Sequence, residues 1–147
     1  MGAPWAGQIS LSEAGKPALK LLQGGGGGEW DYAPQVALEI QLAAAADPQI
    51  AVTLVPILET AERGETVWDE SVVKYPMGLN QEVGELIVNI GRDKYRLYFA
   101  EPSGFPGVLL ALKFGYKYGH DWKKMQNDDI REAGDRLTLW MKQQRKS

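Results

Sequence analysis

Residues 84–140 read GELIVNIGRDKYRLYFAEPSGFPGVLLALKFGYKYGHDWKKMQNDDIREAGDRLTLW, and their periodicity decides the fold. Three apolar runs are separated by glycine-containing turns, then a basic-aromatic segment leads into one amphipathic helix. In the first run Leu86, Val88 and Ile90 alternate with Glu85, Ile87 and Asn89, the period of a strand. Gly91-Arg92-Asp93 is short enough for a hairpin, from which residues 94–100 return. There Lys94, Arg96 and Tyr98 share one face, and Tyr95, Leu97 and Phe99 the other. Two cations on one face of a strand repel, so they must stay solvated or meet anions; this face is the best candidate site in the chain. A longer turn over 102–107 precedes residues 108–114, nearly apolar as in an interior strand covered on both faces. Its exception, Lys113, is expected to emerge near the strand end.

Working outward, His120-Asp121-Trp122-Lys123-Lys124 leads to a helix expected over 127–143, with Asn127 as N-cap and Asp128 and Asp129 in the first turn. Ile130, Ala133, Leu137 and Trp140 form its apolar face, and Lys142, Arg145 and Lys146 sit where the helix dipole favours cations. Because capping accounts for Asp128 and Asp129, these two and Asp121 are not read as a metal cluster.

Upstream, residues 34–63 read as a helical hairpin. Val36, Ile40 and Ala43 or Ala44 line one face of its first helix. Asp47-Pro48 restarts the chain as N-cap and first helical residue, Ile50, Leu54, Ile57, Leu58 and Ala61 make the second buried stripe, and Gly64 suits the stop. Pro56 inside the second helix predicts a kink or break, since its ring clashes with the carbonyl of Val52. Residues 64–83 read as a loop whose carboxylates, Glu65, Asp69, Glu70 and Glu82, share no helix or strand spacing and read as solvated surface. Before the hairpin, residues 1–31 read as an extension, with short elements at 8–11 and 18–22 and a flexible glycine run at 24–28. No Gly-Lys-Ser/Thr follows that run, so it is not read as a phosphate loop. The fold class expected is α+β: an N-terminal helical hairpin on a small, mainly antiparallel sheet with a C-terminal helix, in one domain over 32–147.

Composition narrows the classes. No apolar run in the 147 residues approaches the roughly 20 a membrane span needs, and no secretion signal opens the chain. The absence of cysteine excludes a disulfide framework, a thiol nucleophile and a thiolate metal site, and fits a cytoplasmic setting. The net charge of −3 divides unevenly, with −8 over residues 1–91 and +5 over 92–147. A basic third of this kind faces phosphate, an acidic protein partner or the chain's own acidic part.

The order of helical hairpin, antiparallel strands, basic segment and C-terminal helix resembles the RelE/ParE/HigB toxin superfamily, within it the phage-derived HigB-like branch. The matching residues are Gly84-Glu85-Leu86, Lys94-Tyr95-Arg96-Leu97-Tyr98-Phe99, Leu110-Ala111-Leu112-Lys113-Phe114-Gly115-Tyr116-Lys117, and Asp129-Ile130-Arg131-Glu132-Ala133 with Arg136. The likeness covers about residues 36–140. It implies a RelE-like fold and the toxin half of a type II toxin-antitoxin pair, cleaving messenger RNA on the ribosome without metal or other cofactor and silenced by a cognate antitoxin.

In that chemistry a ribose 2′-hydroxyl attacks the adjacent phosphate, a base takes its proton, cations stabilise the charged intermediate and an acid protonates the leaving oxygen. The resemblance assigns catalysis to Arg96, Lys117 and His120, the only histidine, and RNA binding to Lys94, Lys113, Tyr116, Tyr118, Lys123 and Lys124. The chain departs from the pattern at Ile87, where an arginine is common, and at Lys117-Tyr118, where a lysine pair is common; it is also acidic overall. The residues themselves leave another reading open. Arg96 can pair with Glu85 on the neighbouring strand, Lys117 and Lys123 can be solvated, and His120 can bond Asp121. The alternative function is a non-catalytic phage or prophage protein that uses the same fold to bind a protein partner. Gyrase poisoning in the ParE manner is a third variant.

Overall fold

The structure is a computed structural model that describes residues 28–64, 73–74, 82–117 and 119–145. The expected elements at 8–11 and 18–22, glycines 24–27, most of the loop over 64–83, and Tyr118 lie outside the described residues. The elements run β1 (Glu29–Tyr32), α1 (Pro34–Ala46), α2 (Gln49–Glu62), β2 (Val73–Lys74), β3 (Gly84–Ile90), β4 (Asp93–Ala100), β5 (Val108–Lys117) and α3 (Trp122–Arg145). The sheet order is β1-β5-β4-β3-β2. All pairings are antiparallel except β1 with β5, which is parallel. The expected α+β class, with a helical pair, a mainly antiparallel sheet and a C-terminal helix, is present.

The main correction lies at the start. The boundary expected between residues 31 and 32 cuts through β1, which pairs Glu29 with Val108 and Tyr32 with Ala111. Trp30 is 1% exposed, packs edge-on against Phe99 at 6.1 Å, and donates its indole N–H to the Leu58 carbonyl at 2.9 Å. Gly28 belongs to this unit as well. A Cβ there would run into the Gly107 carbonyl, so only glycine lets the two chains approach. Trp30→Ala is therefore expected to lower stability by about 3–5 kcal/mol in urea unfolding, and a chain starting at residue 33 should not fold.

Successive residues of β1 show where the layers lie. Trp30 reaches α2, whereas the next residue, Asp31, accepts the Trp140 indole N–H of α3 at 3.0 Å. Since neighbours on a strand point to opposite faces, α1 and α2 cover one face of the sheet and α3 the other. Leu86, Val88, Leu97, Phe99 and Leu112 are buried in the core, and Ile130, Ala133, Leu137 and Trp140 are the buried stripe of α3 as expected.

Several boundaries move for local reasons. Helix α2 runs unbroken through Pro56. Pro56 and Val52 both face solvent, so the carbonyl deprived of its donor can be hydrated. Asp47 caps as expected but one residue further out, its carboxylate accepting the Gln49 N–H at 3.0 Å. Gly64, with φ 70°, ends the helix. In the β3–β4 hairpin Gly91 alone takes positive φ, 60°, as the first residue of a two-residue turn. Helix α3 begins five residues before the expected Asn127. The Asp121 carbonyl accepts the first helical bond, from Met125 N–H at 3.0 Å, which turns the basic-aromatic segment into the exposed first turn of the helix.

Candidate functional site

The face singled out from the sequence carries Lys94, Arg96 and Tyr98 of β4. Register places Lys117, Gly115 and Lys113 of β5 opposite them, in that order, and Glu85 opposite Tyr98 on β3. Helix α3 lies across it. The cations on this face are not left waiting for an external anion, because carboxylates of the chain itself meet two of them.

Arg96 is closed inside. Its side chain is 8% exposed and its Nε lies 2.5 Å from Oε1 of Glu85, which is 0% exposed. The contact is an ion pair without the alignment of a hydrogen bond, and the guanidinium also donates to the Tyr95 carbonyl at 2.9 Å. Gln126 of α3 donates its amide to both Glu85 oxygens, at 3.3 and 3.4 Å. Tyr98, beside them, is buried; that burial, with Glu85 and Asp129 nearby, pushes its phenol well above the ordinary tyrosine value. Arg96 was expected to project from the core toward RNA; it is instead a buried partner of Glu85, the pairing that cross-strand spacing left open.

Lys113 does not emerge either. Its ammonium is 2.8 Å from both Glu39 of α1 and Glu132 of α3. Glu39 is the hub. Beyond the last residue of β1 the edge of β5 is open, and there Glu39 accepts the Phe114 backbone N–H at 3.1 Å. The same carboxylate takes a two-pronged contact from Arg136, at 3.0 and 2.8 Å, while Arg136 also donates to the Leu112 carbonyl at 2.7 Å. Burial raises the Glu39 pKa, but the hydrogen bonds from Arg136, Lys113 and Phe114 outweigh it and hold the carboxyl below its ordinary range. Burial likewise lowers Lys113, yet Glu132 and Glu39 carry it above the usual lysine value.

Asp129 behaves differently. It was read as a first-turn capping residue, but lies in the body of α3 with its carboxylate over Gly115, where any Cβ would collide with it. Burial raises its pKa to about 6; Lys113 opposes this, and Glu132, Glu39 and Asp128 add to it. Because the folded value exceeds the unfolded 3.8, protonation of Asp129 favours the folded state. This stability is complete below about pH 4 and is lost as pH rises through about 6. Asp129→Asn should therefore raise stability at pH 7–8, by about 1 kcal/mol once solvent screening is allowed for, and flatten the melting profile between pH 4 and 6.

What remains open is the end of the sheet where the β3–β4 turn, the end of β5 and the start of α3 meet. Arg92 and Lys94 are exposed there, and Lys117 is the register partner of Lys94. His120 and Lys124, with Asp121 and Asp128, line an open cleft of about 320 Å³ three residues further on; Lys123 beside them is exposed. Among the described residues Arg92, Lys94, His120, Lys123 and Lys124 form no ion pair with a carboxylate. Tyr116 is separated from them. It sits opposite Tyr95 on the other face, 4.8 Å from that ring, and its hydroxyl donates to Asp93 at 2.7 Å.

Sequence reasoning thus grouped the cations of the face correctly and missed their partners Glu39, Glu132 and Gln126. One signal for Glu39 was present: it is the sole charged residue in α1. Comparison with protein-family models, with curated proteins and with solved structures gives no match.

Proposed function

We propose that the basic end of the sheet is an RNA-backbone site, and that the chain is a RelE/HigB-like toxin cleaving messenger RNA on the ribosome in the cytoplasm, held in check by an antitoxin. One observation carries this reading: Lys94, His120 and Lys124 are exposed and, among the described residues, form no ion pair, although Asp121 and Asp128 line the same cleft, whereas Arg96 and Lys113 of the face are neutralised internally. Phosphate is the anion such a group attracts, and neutralising a few phosphates gives binding that weakens with salt. In this role Lys94 and Lys124 hold the backbone, and His120 takes the 2′-hydroxyl proton or returns one to the leaving oxygen. Lys117, at the register position beside Lys94, completes the charge. Arg96 and Lys113 act through the scaffold, setting the strand that carries Lys94.

A second reading, a non-catalytic protein-binding module of phage or prophage origin, is favoured by the same ion pairs, which remove two of the four cations the nuclease reading relied on. Inducible expression separates the two. The toxin reading expects growth arrest and fragmented messenger RNA within minutes of induction, both reduced at least tenfold by His120→Ala. Normal growth and intact messenger RNA with folded protein present would leave the binding module.

A further inference from the structure

The exposed surface is divided by charge. Of the twelve exposed positions of α3, eight are charged, whereas the eleven exposed positions of residues 34–58, on α1, α2 and the link between them, include none. In a chain that is 24% charged, a run of this length without charge is a property of that surface rather than of the composition. It is also apolar in the open: Leu38, Leu42 and Val52 are 55%, 64% and 61% exposed. Leu38 and Leu42 stand one turn apart, opposite the face by which Val36 and Ile40 enter the core, so α1 is apolar on both sides and covered on one. Charge depletion around an apolar centre marks the middle of a protein interface.

We propose that this face of α1 and α2 pairs with the same face of a second copy of the chain. In a two-fold contact each residue near the axis meets its own counterpart, so any charge there would face its like. This surface meets that condition. Its polar members Gln35, Gln41 and Gln49 each both donate and accept, and so can pair with themselves. The alanines at the end of α1 let two helices approach closely. The exposed surface of α3 carries charges of both signs instead. Two helices of 13 and 14 residues are about 20 Å long. Side by side they offer a face of roughly 20 by 20 Å, below the size of a standard stable interface, so the dimer is a weak one that dissociates on dilution.

Sedimentation velocity of the full chain tests this. The expected result is a dimer at about 100 µM that dissociates on dilution, with Leu42→Glu monomeric throughout and melting like the parent because the side chain is exposed. Leu42→Lys should be monomeric too, and mixing the Glu and Lys variants should restore a dimer, since the opposite charges then face each other. A parent chain that stays monomeric at 100 µM overturns the proposal. So does a dimer that both variants leave intact, which would place the contact elsewhere, or a mixture of the two variants that stays monomeric.

Discussion

Arg96→Ala is expected to destabilise the fold by about 3–5 kcal/mol, the range seen when one partner of a buried ion pair is removed and the other is left charged. Glu85 would then sit fully buried with, among the described residues, the Gln126 amide as its hydrogen-bond donor and Tyr98 beside it. The same strand position on an open face would give a change within about half a kcal/mol, so urea unfolding separates the two cases by a wide margin. The double variant Glu85→Leu with Arg96→Met should recover most of the loss, because replacing a buried pair by apolar side chains of similar size is often neutral or better. This recovery makes the site testable: it yields a folded chain without Arg96.

Glu39→Ala should be nearly as costly, about 2–4 kcal/mol, somewhat below a fully buried pair because the Glu39 side chain is one-fifth exposed. Its loss leaves Lys113 with only Glu132, strips Arg136 of its two-pronged partner and orphans the Phe114 N–H at the open edge of β5. The effect should depend on pH. Since the folded Glu39 pKa is depressed, its contribution is present above the ordinary carboxylate value and is lost as pH falls below it. That is the opposite sign to Asp129, whose contribution is lost as pH rises through about 6. Wild type should therefore show two opposed limbs, with Glu39→Gln removing the lower one and Asp129→Asn the upper.

The sequence made the alternating runs legible because side-chain direction on a strand follows from counting alone. Lys94, Arg96 and Tyr98 do share a face, and Ile130, Ala133, Leu137 and Trp140 do line one helix. Counting along the chain does not reveal partners that come from far away. Glu39 meets Arg136 across 97 positions and Lys113 across 74, and only the fold brings them together. Strand β1 was obscured for a related reason. Four residues beside a glycine run carry little periodicity, and Trp30 becomes a core residue only because β5 offers a parallel edge and α2 a carbonyl. The start of α3 was misplaced because Asn127 and Asp128 are good capping residues that lie in the helix body, downstream of the Asp121 start.

The most direct test of where the chemistry lies is ribosome-bound messenger-RNA cleavage by two folded variants, the Glu85→Leu, Arg96→Met double and His120→Ala. If the open basic end is the site, the double variant cleaves within a few-fold of wild type, while His120→Ala falls by about tenfold to a hundredfold. Cleavage abolished in the folded double variant and retained in His120→Ala would contradict this and return the site to the face beneath α3.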